Sequence, residues 1–86
     1  MGKRSSSGYN PTMELLSRIT HDATVMGGRP CIRGMRVTVG TIMGLLAAGR
    51  TQNEILAAYP YLELADVQAA LAYAAWRTQE VDLPLT

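Results

Sequence analysis

Val25-Met26-Gly27-Gly28-Arg29-Pro30-Cys31-Ile32-Arg33-Gly34-Met35-Arg36-Val37-Thr38-Val39 packs three glycines, one proline and three arginines into fifteen residues. Glycine suits backbone that must take positive φ, and proline fixes φ. The segment therefore predicts a tightly turning, basic β-ribbon over residues 25–39 that presents Arg29, Arg33 and Arg36. Upstream, residues 19–25 read as extended and residues 13–18 as a helical turn. Residues 1–12 lack apolar periodicity and read as a flexible N-terminal arm.

Downstream of the ribbon the period becomes helical. Val39, Ile42, Met43 and Leu46 fall at i, i+3, i+4 and i+7, one face of a helix. Gly49 stands where helices end. Thr51 and Glu54 have capping-box spacing, so a short helix starts at Gln52 with Ile55, Leu56 and Tyr59 inward, and Pro60 limits it. A last helix begins near residues 63–66, with acidic residues in its first turn, and runs to about Gln79. Val67, Ala70, Leu71 and Ala74 are its expected inner face. The expected organisation is one domain over residues 13–79, mainly α, with a three-helix core and a short N-terminal β-ribbon. A tail follows over residues 80–86.

The chain has 86 residues, 48% hydrophobic and 17% charged, a globular composition with a small core. A domain this small invites association, and a homodimer is the expected state. No apolar run approaches the ~20 residues of a membrane span. The single Cys31 excludes an internal disulfide and has no zinc-ligand neighbours, so a cytoplasmic protein is expected. The net charge of +1 hides a split. Residues 1–40 carry six basic and two acidic side chains (+4), and residues 41–86 carry two basic and five acidic ones (−3). A basic half suits a phosphate backbone and an acidic half suits a protein partner, although uneven scatter is common in short chains.

The two helices around Gly49 have helix-turn-helix dimensions. Arg29, Arg33, Arg36 and Arg50 would then hold phosphates, with Gln52 and Asn53 able to pair with adenine edges. Against this, the second helix has no Lys or Arg, and Glu54 is unfavourable beside phosphates. An ordinary packing hairpin, with arginines that keep an edge ribbon soluble, fits the same residues. His21-Asp22 has no further ligands for a metal. Gly27-Gly28-Arg29 lacks the residues of a phosphate loop, and no nucleophile–base set is present. No cofactor, metal or enzymatic activity is expected. Tyr59 and Tyr73 suit the core. Trp76, beside Arg77 at the helix end, suits an interface, as do Val81, Leu83 and Leu85 in the apolar tail.

Ile19, Gly27-Gly28-Arg29-Pro30, Ile32, Gly34, Arg36-Val37, Gly49, Glu54-Ile55, Tyr59-Pro60, Leu62, Asp66-Val67, Ala70-Leu71 and Tyr73 together resemble the pattern of the family catalogued as domain of unknown function 433. Met35 stands where that pattern often has Thr. Glu63 stands where a capping Thr or Ser is common, which leaves Asp66 to share the capping role. The resemblance implies a homeodomain-like helix-turn-helix fold. It also implies the antitoxin of a type II toxin–antitoxin pair, similar to VapB-like antitoxins. Such a protein would neutralise a PIN-like ribonuclease toxin and bind its own operator DNA. The tail from Trp76 and Arg77 through Val81, Leu83 and Leu85 is the expected toxin contact. A protein-interaction module that never touches DNA is the alternative.

Overall fold

The computed structural model describes residues 11–79. In chain order these form α1 (Pro11–Leu16), β1 (Ile19–Thr20), β2 (Cys31–Ile32), α2 (Val39–Ala47), α3 (Gln52–Ala58) and α4 (Leu64–Gln79). The protein is mainly helical, with four helices and one small two-stranded sheet among the described residues. No helix there is long and apolar enough to cross a membrane. The tail residues Val81, Leu83 and Leu85 lie outside the described residues.

The helix boundaries follow local chemistry. Thr38 caps α2, its hydroxyl accepting the Thr41 N–H at 3.0 Å. At the other end Gly49 takes φ +94°. The Gly49 N–H donates to Leu46 O at 3.0 Å and the Arg50 N–H to Leu45 O at 3.0 Å. That bond pair closes a Schellman turn and satisfies carbonyls the helix leaves open. Thr51 and Glu54 form both halves of the expected capping box at the start of α3.

The ribbon is shorter than its composition predicts. β1 and β2 are antiparallel, with Ile19 opposite Ile32 and Thr20 opposite Cys31, and Cys31 also bridges to Thr38. Residues 25–28 do not join the ladder. Met26, Gly27 and Gly28 all have positive φ, at 51°, 68° and 84°. Three successive residues outside the β region carry the chain through a left-handed turn over Met26–Gly28, closed by the Gly28 N–H to Val25 O at 3.0 Å, instead of a strand. The glycines that mark the segment in the sequence are thus the reason it is not extended there.

Ile32, Val37, Val39, Ile42, Ile55, Leu62, Val67 and Ala70 form one buried cluster. Met43, Leu46, Leu56 and Tyr59 pack partly buried against it, as their spacing predicts, and so does Tyr73. Helix α4 differs from expectation in two ways. It is packed by α1 as well as by α2 and α3, so a fourth helix lies against it outside the buried cluster. Its inner face is also rotated: Asp66, Val67, Ala69 and Ala70 are fully buried, whereas Leu71 is 37% exposed. Seating Asp66 inward fixes the phase of the helix and carries Leu71 to the outside.

Ile42→Ala should therefore cost about 3 kcal/mol by urea denaturation, the usual scale for emptying a buried isoleucine site. Leu71→Ala should cost less, about 1 kcal/mol, because over a third of that side chain already meets water. The opposite ranking would contradict this phase of α4.

Candidate interaction surfaces

The ion cluster at the start of α4 begins with backbone register. The Arg33 N–H donates to Arg18 O at 2.7 Å, one step beyond the Ile19–Ile32 pair. This sets the two arginines side by side at the end of the ladder. Arg33 and Gly34 both have positive φ, 46° and 73°, and the Met35 N–H returns to Ile32 O at 2.8 Å. Positive φ at both central residues is the signature of a type I′ hairpin turn, in which glycine is favoured and arginine is uncommon. The Gly34 N–H is held by Thr20 Oγ1 at 2.8 Å.

From this turn the Arg33 side chain reaches Asp66. Its Nε donates to Oδ1 at 3.0 Å and its Nη2 to Oδ2 at 2.8 Å, a bidentate fork. Arg18 Nη1 donates to Asp66 Oδ1 at 2.9 Å and to Glu63 Oε1 at 2.9 Å. The Glu63 N–H donates to Asp66 Oδ2 at 2.8 Å, and Arg33 Nη2 also reaches Tyr61 O at 3.2 Å. Asp66 has no exposed surface, so it could not remain ionised without such partners. Burial alone pushes its carboxyl up. The Arg33 guanidinium, the Glu63 amide and Arg18 outweigh that effect and hold it below the ordinary carboxylate value. The Glu63 bond is also the capping contribution expected of Asp66.

Of the arginines expected to contact DNA, Arg33 is partly exposed but its guanidinium is committed to Asp66 within the chain. Arg29, Arg36 and Arg50 are exposed and make no ion pair among the described residues. Arg29 borders a concavity at the start of α2 with Pro30, Thr38, Gly40 and Thr41. Arg50 and Glu54 border a cleft of about 230 Å³ floored by Leu45, Ile55, Ala58 and Tyr59. Gln52 is half-buried and Asn53 exposed at the start of α3.

At the far end of α4, Trp76 is 44% exposed and Arg77 is exposed. Trp76 lies against Tyr73 with ring centroids 5.9 Å apart. The Tyr73 hydroxyl meets His21 Nε2 at 3.1 Å. The sequence pattern does not reveal this aromatic line, which runs from the end of β1 to the end of α4, because His21 and Tyr73 are far apart along the chain. Asp22 holds the turn after β1, its Oδ1 accepting the Thr24 N–H at 2.9 Å and the Thr24 hydroxyl at 2.7 Å. The Thr24 hydroxyl and amide hold its carboxyl below the ordinary value. No group of His, Cys, Asp and Glu suited to a metal is present among the described residues.

A family model described as "Protein of unknown function (DUF433)" matches residues 19–74. That match covers more than half of the chain, which belongs to this family. It contains Arg33, Asp66, α2 and α3, and stops short of Trp76 and Arg77. The chain is also 34% identical over 56 residues to "Uncharacterized protein y4eO" of Sinorhizobium fredii. The alignment covers 65% of this chain and 25% of that protein, so the chain spans about a quarter of that relative's length. No solved structure matches the chain.

The lowered carboxyl of Asp66 sets a pH dependence. Its stabilising contribution is complete above the unfolded value near ~4 and is lost as pH falls through the lower folded value. Asp66→Asn should cost about 3 kcal/mol at neutral pH, or somewhat less because both guanidinium groups keep some contact with water. The gap between wild type and variant should close as acid protonates the wild-type carboxyl. Urea midpoints from neutral pH down to about pH 2.5 check this. Equal midpoints at neutral pH would show that the carboxylate does not stabilise the fold.

Proposed function

We propose that this DUF433 protein is the antitoxin of a type II pair, a cytoplasmic homodimer that binds duplex DNA through α2 and α3 and neutralises a PIN-like ribonuclease through the end of α4. The observation that carries the DNA half is the helix pair itself. α2 and α3 are joined by a short turn closed on one side by Gly49 and on the other by the Thr51 capping box. Arg50 leaves that turn exposed, and Arg29 stands beside the start of α2. In a helix-turn-helix the second helix enters the major groove while the first crosses the backbone. α3 would then be the reading helix, and Arg29, Arg36 and Arg50 would contact phosphates. Arg33 leaves that set because its partner is Asp66.

The toxin half rests on the family resemblance and on residue chemistry. Trp76 and Arg77 are of the types most enriched at binding hot spots. An acidic, metal-dependent nuclease site would attract the planar guanidinium of Arg77. Val81, Leu83 and Leu85 would extend this contact.

One observation favours a protein-interaction module without DNA binding. α3 carries no basic residue, while α4 exposes Leu64, Leu71 and Trp76. Gel-shift titrations across a salt series separate the readings. Arg29→Ala, Arg36→Ala and Arg50→Ala should each weaken binding and flatten the slope of log affinity against log salt by about 1. A wild-type protein that binds no duplex at low salt would leave the interaction module as the function.

A further inference from the structure

We infer that the outer face of α3 reads A·T base pairs, with Asn53 on the adenine edge and Ala57 on the thymine methyl; this deepens the DNA reading above and rests on it. Burial defines that face. Ile55 is buried, and Gln52 and Leu56 are half-buried. Asn53, Glu54, Ala57 and Ala58 are exposed. Asn53 and Ala57 are four residues apart and therefore adjacent on one side of the helix.

The choice of base follows from what this face offers. Guanine presents two acceptors in the major groove and is met by Arg or Lys, and α3 has neither. Cytosine presents an amino group that a carboxylate accepts. Glu54 is the one carboxylate on α3, and it is folded back on the helix start. Its Oε1 accepts the Thr51 N–H at 2.8 Å while Thr51 Oγ1 accepts the Glu54 N–H at 3.1 Å. That contact turns the carboxylate toward its own helix start, but it stays charged and exposed, so it adds nothing to phosphate binding. Adenine presents an acceptor and a donor side by side, which the amide of Asn53 matches with two bonds. The Asn53 amide makes no hydrogen bond among the described residues. Thymine, on the same pair, adds a methyl group that an exposed alanine contacts. Arg50, exposed just before α3 and sharing the cleft with Glu54, supplies the charge that holds a phosphate backbone alongside.

The test is selection of the full-length protein at low salt on a pool of duplexes with a randomised centre, followed by sequencing. The expected result is enrichment of A·T pairs. Asn53→Ala, with an unchanged thermal melt, should lose about ten-fold in preference at the enriched position. Replacing the selected thymine by uracil, which lacks the methyl group, should weaken wild-type binding without any change to the protein. A retained pool with flat sequence or G·C enrichment overturns the inference and leaves DNA binding standing. Enrichment that Asn53→Ala does not alter overturns it as well. A pool that is not retained at all overturns the DNA reading and this inference together.

Discussion

One carboxylate without solvent contact holds the two halves of this protein together. Asp66 accepts four hydrogen bonds: two from Arg33, one from Arg18 and one from the backbone of Glu63. Arg18 and Arg33 flank the same end of the small β ladder, one beside each strand, and Asp66 comes from the first turn of α4. The sheet is only two residues per strand, too small to be stable alone. Its position is fixed by charge at one end and by the burial of Ile32 and Cys31 between the strands and helices. Cutting out an arginine strips partners from a carboxylate that water does not reach, which is more costly than the net worth of the cluster itself.

This constraint divides the arginines of the basic segment into two groups. Arg33 serves the fold, in a positive-φ conformation that the hairpin turn and the Thr20 hydroxyl hold in place. Arg29 and Arg36, with Arg50 beyond α2, keep their charge for the surface. The proposed DNA-binding surface is therefore less basic than composition suggests. What remains is a backbone contact from scattered cations and a small, uncharged reading face on α3. The acidic half of the chain also divides: Asp66 and Glu63 face the arginines of the ladder, and Glu54 is occupied with its own helix start.

Features governed by neighbours in sequence are legible. Gly49 and the Thr51–Glu54 pair mark the end of α2 and the start of α3 because capping is local chemistry. The inward faces of α2 and α3 follow from apolar spacing alone. The departures come from long-range contacts or from backbone strain. Gly27 and Gly28 announce a turn, but only their positive φ shows that it displaces strand pairing. Arg33 and Asp66 are 33 residues apart, and nothing in a charge pattern says that they meet. Leu71 fits the apolar repeat of α4, yet the helix is turned to bury Asp66. An acidic residue beside Val67 in a first turn is the available signal, and on spacing alone it indicates only a cap. The exposure of Trp76 is legible from its place near the helix end, whereas its contact with Tyr73 and the link to His21 require the fold.

A double-mutant cycle between Arg33 and Asp66, followed by urea denaturation, tests most directly whether this ion pair organises the fold. Arg33→Met, Asp66→Asn and the combined variant would be compared with the wild type. If the two side chains act as one unit, the combined loss should fall well short of the sum of the single losses, because the second change removes a group whose partner is already gone. Losses that simply add would show that Arg33 and Asp66 stabilise the protein independently, and Arg33 would return to the surface set.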